Sequence, residues 1–141
     1  MQRPESFKTT STGRSLLHAA AAHGDLEMVE FLCEKGGDVR ETDRGEQTVV
    51  HAAAGSSLEA AEKLYYLIEE KRAPFLDVDK KGRTALFPAA EVGDREVVEY
   101  LVEKGIDPTK HDNDGKSVLD VAASSVRDVI SRNMRRLSSA E

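Results

Sequence analysis

Thr84-Ala85-Leu86-Phe87-Pro88-Ala89-Ala90, then Gly93-Asp94, then Glu96-Val97-Val98-Glu99-Tyr100-Leu101-Val102-Glu103-Lys104-Gly105 is the stretch whose reading decides the fold. A short apolar helix pattern breaks at Gly93-Asp94 and an amphipathic one follows. Residues 106–116 then close the unit as a polar turn centred on Asn113-Asp114-Gly115. Equivalent starts occur at Ser15, Thr48 and Ser117, with 33 residues separating Ser15 from Thr48 and Thr84 from Ser117. Fixed self-similarity at this period predicts an all-α solenoid of stacked helix pairs linked by β-hairpin-like loops. The repeats fall at about 15–47, 48–83, 84–116 and 117–137 in a domain over 14–137. A flexible tail is expected at 1–13 and a frayed end at 138–141.

Composition agrees with a thin-cored array. Charged residues are 33% and aromatics 5% of the 141 residues, and tryptophan is absent. The formal net charge of −6 disfavours nucleic acid and anionic membranes as partners, since both demand a basic surface. The single cysteine, Cys33, has no disulfide partner within the chain, and no apolar run approaches a membrane span. Residues 1–6 lack the apolar core of a signal peptide. An intracellular protein, cytoplasmic or nuclear and monomeric when free, is the expectation.

Ser15 is a good N-cap for Leu16-Leu17-His18-Ala19-Ala20-Ala21-Ala22, and consecutive alanines permit close stacking. The outer helix after Asp25 carries Leu26, Met28, Val29, Phe31 and Leu32 as its apolar set. Phe7, the only aromatic residue of the tail, is a candidate to dock on this pair. The second unit is three residues longer, and Ser56-x-x-Glu59 reads as a capping box for an outer helix from Leu58 to Lys71 that starts a turn early. In that register Tyr65 faces the core and Tyr66 is exposed. Pro88 predicts a kink in the third unit's first helix. Ser125-x-x-Asp128 predicts the cap of a last helix whose arginines form a polar end.

Ser15-Leu16-Leu17-His18-Ala19-Ala20-Ala21, Gly24, Glu27-Met28-Val29-Glu30-Phe31-Leu32, Gly36, Asp38 and Asp43 follow the pattern T-P-L-H-x-A-A, Gly, E-V-V-x-L-L, Gly and D-x-x-G. The chain thus resembles ankyrin-repeat proteins, with four copies covering residues 15 to about 137. The resemblance implies structural imidazoles at His18 and His51, and structural motif positions at Ser15, Thr48, Thr84 and Ser117. It also implies a concave partner-binding surface of hairpin tips and inner helices. Mapped here, that surface comprises Arg14, Ala22, His23, Arg44, Gln47, Gly55 and Ser56, then Lys80, Lys81, Arg83, Glu91, Val92, Asn113, Asp114, Lys116 and Ser124.

Nothing patterned around the histidines supplies a nucleophile or an acid, so no catalytic residue, cofactor or metal is expected. Asp112-Asn113-Asp114-Gly115 fails as a calcium loop, because Lys110 and Val121 stand where acids are needed. Lys80-Lys81-Gly82-Arg83 is a basic tip between two hairpins rich in acids. A solvated turn explains it, and the sharper reading is an anchor for an acidic segment of a protein partner. Arg135-Arg136-Leu137-Ser138 matches a basophilic kinase substrate pattern, which makes Ser138 a candidate phosphosite. The favoured function is a non-catalytic binding module, a scaffold or adaptor. The alternatives are an inhibitory or regulatory subunit, as the ankyrin-type inhibitors of cyclin-dependent kinases are, and a fragment of a longer catalytic chain.

Overall fold

The computed structural model describes residues 15–139, and side chains through residue 136. The expected tail, Arg14 and the side chain of Ser138 lie outside the described residues. Four helix pairs stack in sequence order. The inner helices are α1 (Leu16–His23), α3 (Val49–Ala54), α5 (Leu86–Val92) and α7 (Val118–Val121). The outer helices are α2 (Leu26–Glu34), α4 (Ala60–Tyr65), α6 (Arg95–Glu103) and α8 (Arg127–Ser139), the last entered through a 3₁₀ turn at Ser124–Val126. Each inner helix packs on the next inner helix, and α4 and α8 pack on α6. Among the described residues there is no strand, and one isolated antiparallel bridge joins His111 and Ser117.

Buried alanines at 20, 21, 52–54, 89 and 90 keep the inner layer thin, while Leu17, Leu64, Leu86 and Leu101 fill the space between layers. Each such leucine contributes about 1.5–3 kcal/mol on burial. Ser15, Thr48 and Ser117 cap their helices by accepting the N–H three residues on. Asp120, which replaces the motif histidine, closes the box by accepting the Ser117 N–H at 2.8 Å.

Pro88 introduces no break. Helix α5 begins at Leu86, one residue later than its counterparts, so Pro88 is its third residue. There the N–H has no intrahelical partner to lose.

The second unit departs from expectation in its outer helix. Glu59 takes a left-handed backbone (φ 50°), and α4 begins after it at Ala60, with no early turn. The surplus is absorbed instead at the other end, where Tyr66–Glu70 form a π-helical turn and the Lys71 N–H reaches the Tyr66 carbonyl at 3.1 Å. Counted from the helix starts, Tyr65 matches Phe31 and Tyr100, and Tyr66 matches Leu32 and Leu101. Tyr65 is accordingly exposed (37%) and Tyr66 buried (9%), the reverse of the sequence reading.

The two expected caps also work differently. The Glu59 carboxylate accepts the Leu26 N–H at 2.9 Å, capping α2 of the preceding repeat. Ser125 Oγ donates to the Gly93 carbonyl at 2.9 Å, and Asp128 pairs with Arg95 and Arg132. Glu59, Ser125 and, through Arg95, Asp128 each tie their repeat to the preceding one.

Candidate functional site: the hairpin rim and inner-helix face

The three hairpins are built alike around an aspartate. Oδ1 of Asp43 accepts the N–H groups of Gly45 and Gln47, that of Asp79 those of Lys81 and Arg83, and that of Asp112 those of Asp114 and Lys116. At the hairpin starts, Oδ1 of Asp38 accepts the Arg40 N–H and Oδ1 of Asp107 the Thr109 N–H. The backbone N–H of Lys116 beside Asp112 holds its carboxyl below the usual range, and the Thr109 hydroxyl does the same for Asp107. Five carboxylates are therefore directed at backbone N–H groups, which stabilise them as anions within their own turns.

Adjacent hairpins are joined along the rim. The Lys80 N–H donates to the Gly45 carbonyl at 2.8 Å, the Asn113 N–H to the Lys81 carbonyl at 2.9 Å, and the Asn113 amide to the Lys80 carbonyl at 3.1 Å. His18 and His51 bind from beneath, each Nε2 lying 2.9 Å from the carbonyl of Gln47 or Arg83. Their Nδ1 atoms meet Ser15 and Thr48, as the resemblance implied. In the third unit Phe87 replaces the histidine, and Thr84 Oγ1 is left buried without a hydrogen-bond partner.

What faces outward differs from the charge count of the sequence. Arg40, Arg44, Lys80, Lys81, Lys110 and Lys116 are exposed along the hairpins, against Glu46, Asp77, Asp107 and Asp114. Arg83 is drawn inward, with its guanidinium over the Phe87 ring at 5.5 Å and ion pairs to Asp112 (3.4 Å) and Glu91 (3.5 Å). Along the inner helices His23, Gly55, Val92 (43%) and Ser124 are exposed and Ala22 is half-buried. Gln47 is half-buried and reaches Asp79 at 3.4 Å. Ser56 does not belong to this surface, because it is buried and its hydroxyl accepts from the Lys63 ammonium at 2.8 Å.

Sequence reasoning missed Lys63. Lys63 stands at the fourth position of its outer helix, where Val29 and Val98 stand in theirs, and it is fully buried. Its Nζ also donates to the carbonyls of Ala21 (2.8 Å) and Gly24 (2.7 Å). Three acceptors satisfy all three ammonium protons. The signal was present as a lone cation in the apolar stripe, visible once the helix is started at Ala60. Cys33 is half-buried, and burial pushes its thiol up in pKa, which keeps it protonated at neutral pH. Among the described residues no helix is long and apolar enough to cross a membrane.

A family model described as ankyrin repeats (3 copies) matches residues 2–73, 17–112 and 63–132. The chain is 35% identical over 122 residues to a probable 26S proteasome regulatory subunit p28 of Saccharomyces cerevisiae, covering 85% of this chain and 52% of that protein. It is 32% identical over 104 residues to rat diacylglycerol kinase zeta, covering 73% of this chain and 11% of the kinase. It is also 31% identical over 117 residues to a zebrafish neurogenic locus notch homolog protein 1, covering 82% of this chain and 5% of that one. The chain thus spans about half of p28 and a small part of the other two. Ankyrin repeats are protein–protein interaction modules. With its motif residues, hairpins and stacked helix pairs in that register, the chain belongs to the ankyrin-repeat family.

Proposed function

We propose that this chain is a non-catalytic, intracellular binding module that grips an acidic segment of a protein partner along the hairpin rim and the inner-helix face. One observation carries the reading: the hairpin aspartates turn onto backbone N–H groups, so Arg44, Lys80, Lys81 and Lys116 dominate the exposed rim of an otherwise acidic chain. Such a rim steers an acidic partner and sets its register, while Gly55 and the exposed Val92 below offer close apolar contact. Arg83, Glu91 and Asn113 are engaged within the protein and serve to hold the rim rather than to reach out.

The similarity to p28 favours a second, narrower reading, that the module acts as a regulatory subunit of a larger assembly. A catalytic role has weaker support, because the kinase relative is matched over only 11% of its length.

The test is affinity capture with the wild-type chain and two charge-reversed pairs. Lys80→Glu with Lys81→Glu should lose partners that Glu30→Lys with Glu99→Lys, on the outer helices, retains. The captured binding should weaken with salt. The reverse pattern, with the outer pair essential and the rim dispensable, defeats the proposal.

A further inference from the structure

The hairpin of the second repeat begins without the turn that starts its neighbours. In the first and third repeats, Oδ1 of Asp38 and of Asp107 accepts the N–H two residues on, and the N–H groups of Glu41 and Lys110 return to the Asp38 and Asp107 carbonyls. Pro74 stands at that position in the second repeat and has no carboxylate to offer. Among the described residues, the backbone N–H groups of Phe75, Leu76, Asp77 and Val78 have no hydrogen-bond partner.

This segment is also apolar where its counterparts are polar. Leu76 and Val78, 60% and 37% exposed, stand where the first hairpin has Arg40 and Thr42 and the third has Thr109 and His111. Val78 and Asp77 line an open groove of about 540 Å³ together with Thr42 and Glu46 of the first hairpin. Glu46 has φ 61° at the position that Gly82 and Gly115 fill with φ 79° and 81°. A side chain is strained there, and backbone strain of this kind clusters at sites of function. Neither Glu46 nor Asp77 has an ion-pair partner among the described residues.

We propose that this groove docks an extended segment of a protein partner, one that carries a leucine-sized apolar residue next to a lysine or arginine. The apolar side chain packs on Leu76 and Val78, and the cation lies between Glu46 and Asp77. The unpaired N–H groups of residues 75–78 donate to carbonyls of the partner. An extended segment suits them because its main-chain acceptors are free, whereas a helix uses its own internally. The site calls for a cation where the rim calls for acids, and it uses none of the rim lysines. It therefore stands or falls separately from the rim.

The test is selection of phage-displayed random peptides on the full 141-residue chain, followed by amide NMR titration with the synthesised winners. Peptides that pair an apolar residue with Lys or Arg should shift the amides of Phe75, Leu76, Asp77, Val78, Thr42 and Glu46. Leu76→Ser should weaken their binding by roughly tenfold or more. Glu46→Gly should weaken it likewise and leave Tm equal or higher, since glycine relieves the strained backbone. A Tm lowered by Glu46→Gly would give the residue a structural role and overturn the proposal. Selection without such peptides, shifts confined to Lys80, Lys81 and the inner helices, or unchanged affinity in either variant also overturn it. So does a shift of the same amides with protein concentration alone, which would make a second copy the occupant.

Discussion

The ammonium of Lys63 lies 2.7 Å from the carbonyl oxygen of Gly24, so a buried cation of the second repeat holds the loop between the two helices of the first. Ser56 and the Ala21 carbonyl complete its shell. A charge placed so deep is tolerated because every proton has an acceptor, and removing the side chain leaves those acceptors unsatisfied. Lys63→Ala should therefore destabilise the protein by about 3–4 kcal/mol, through lost hydrogen bonds and a cavity. Lys63→Met, which keeps the volume, should cost less. Urea denaturation measures both, and equal losses would show that the hydrogen bonds alone decide.

The same lysine gives an alkaline signature. Burial holds its ammonium below the usual 10.5, while the hydrogen bond to Glu96 and burial push Tyr65 and Tyr66, respectively, up to about 12. The folded lysine loses its proton before the unfolded one does, so its cost is fully present below the folded value and is relieved as pH rises to 10.5. The tyrosines act oppositely. Above pH 10 the unfolded chain sheds protons that the folded chain retains, and stability falls between about 10 and 12. Tm followed from pH 8 to 12 should fall above 10, less steeply in Tyr65→Phe. In Lys63→Met the rise below 10.5 should vanish.

Thr84 and Thr48 occupy the same motif position with different partners. Thr48 caps α3 and meets His51, whereas the Thr84 hydroxyl is buried without a partner. Thr48→Val should cost about 1–2 kcal/mol and Thr84→Val nearly nothing. Chemical denaturation of the two variants side by side decides the matter, and equal costs would refute the distinction.

Arg72 has φ 58° where Gly36 and Gly105 follow the outer helices α2 and α6 at φ 97° and 107°. A side chain in this region carries about 1–2 kcal/mol of steric cost. Arg72→Gly should raise stability by up to about 1 kcal/mol, read as an increase in Tm. A decrease would mean that the arginine side chain contributes more than its backbone costs.

The Asp112 carboxyl is held below 3.8 by the N–H of Lys116, with those of Asp114 and the Arg83 side chain adding to the effect. Its contribution is complete above 3.8 and is lost as pH falls through the lowered folded value. Asp112→Asn should lower Tm at pH 7 and flatten the acid limb below pH 4. An unchanged acid limb would remove Asp112 from the account.

Much of this protein is legible in one dimension. The 33-residue spacing, the Ser and Thr caps and the alanine-rich inner helices each reflect contacts within a few residues. These local rules fix the number of units, the helix pairs and the turns, and hence the family. Tertiary structure alone decided the rest, because the choices depend on partners about thirty residues away. The second unit could absorb its extra residues at either end of its helix. Glu59 capping Leu26 across the repeat boundary and Lys63 reaching Gly24 favour the late π turn, which turns Tyr66 inward and Tyr65 outward. The rim follows the same logic. Counted along the chain its hairpins are acidic or mixed, but five carboxylates bind the backbone of their own turns, and only the folded hairpin shows which charges are held there and which cations stand out on the rim.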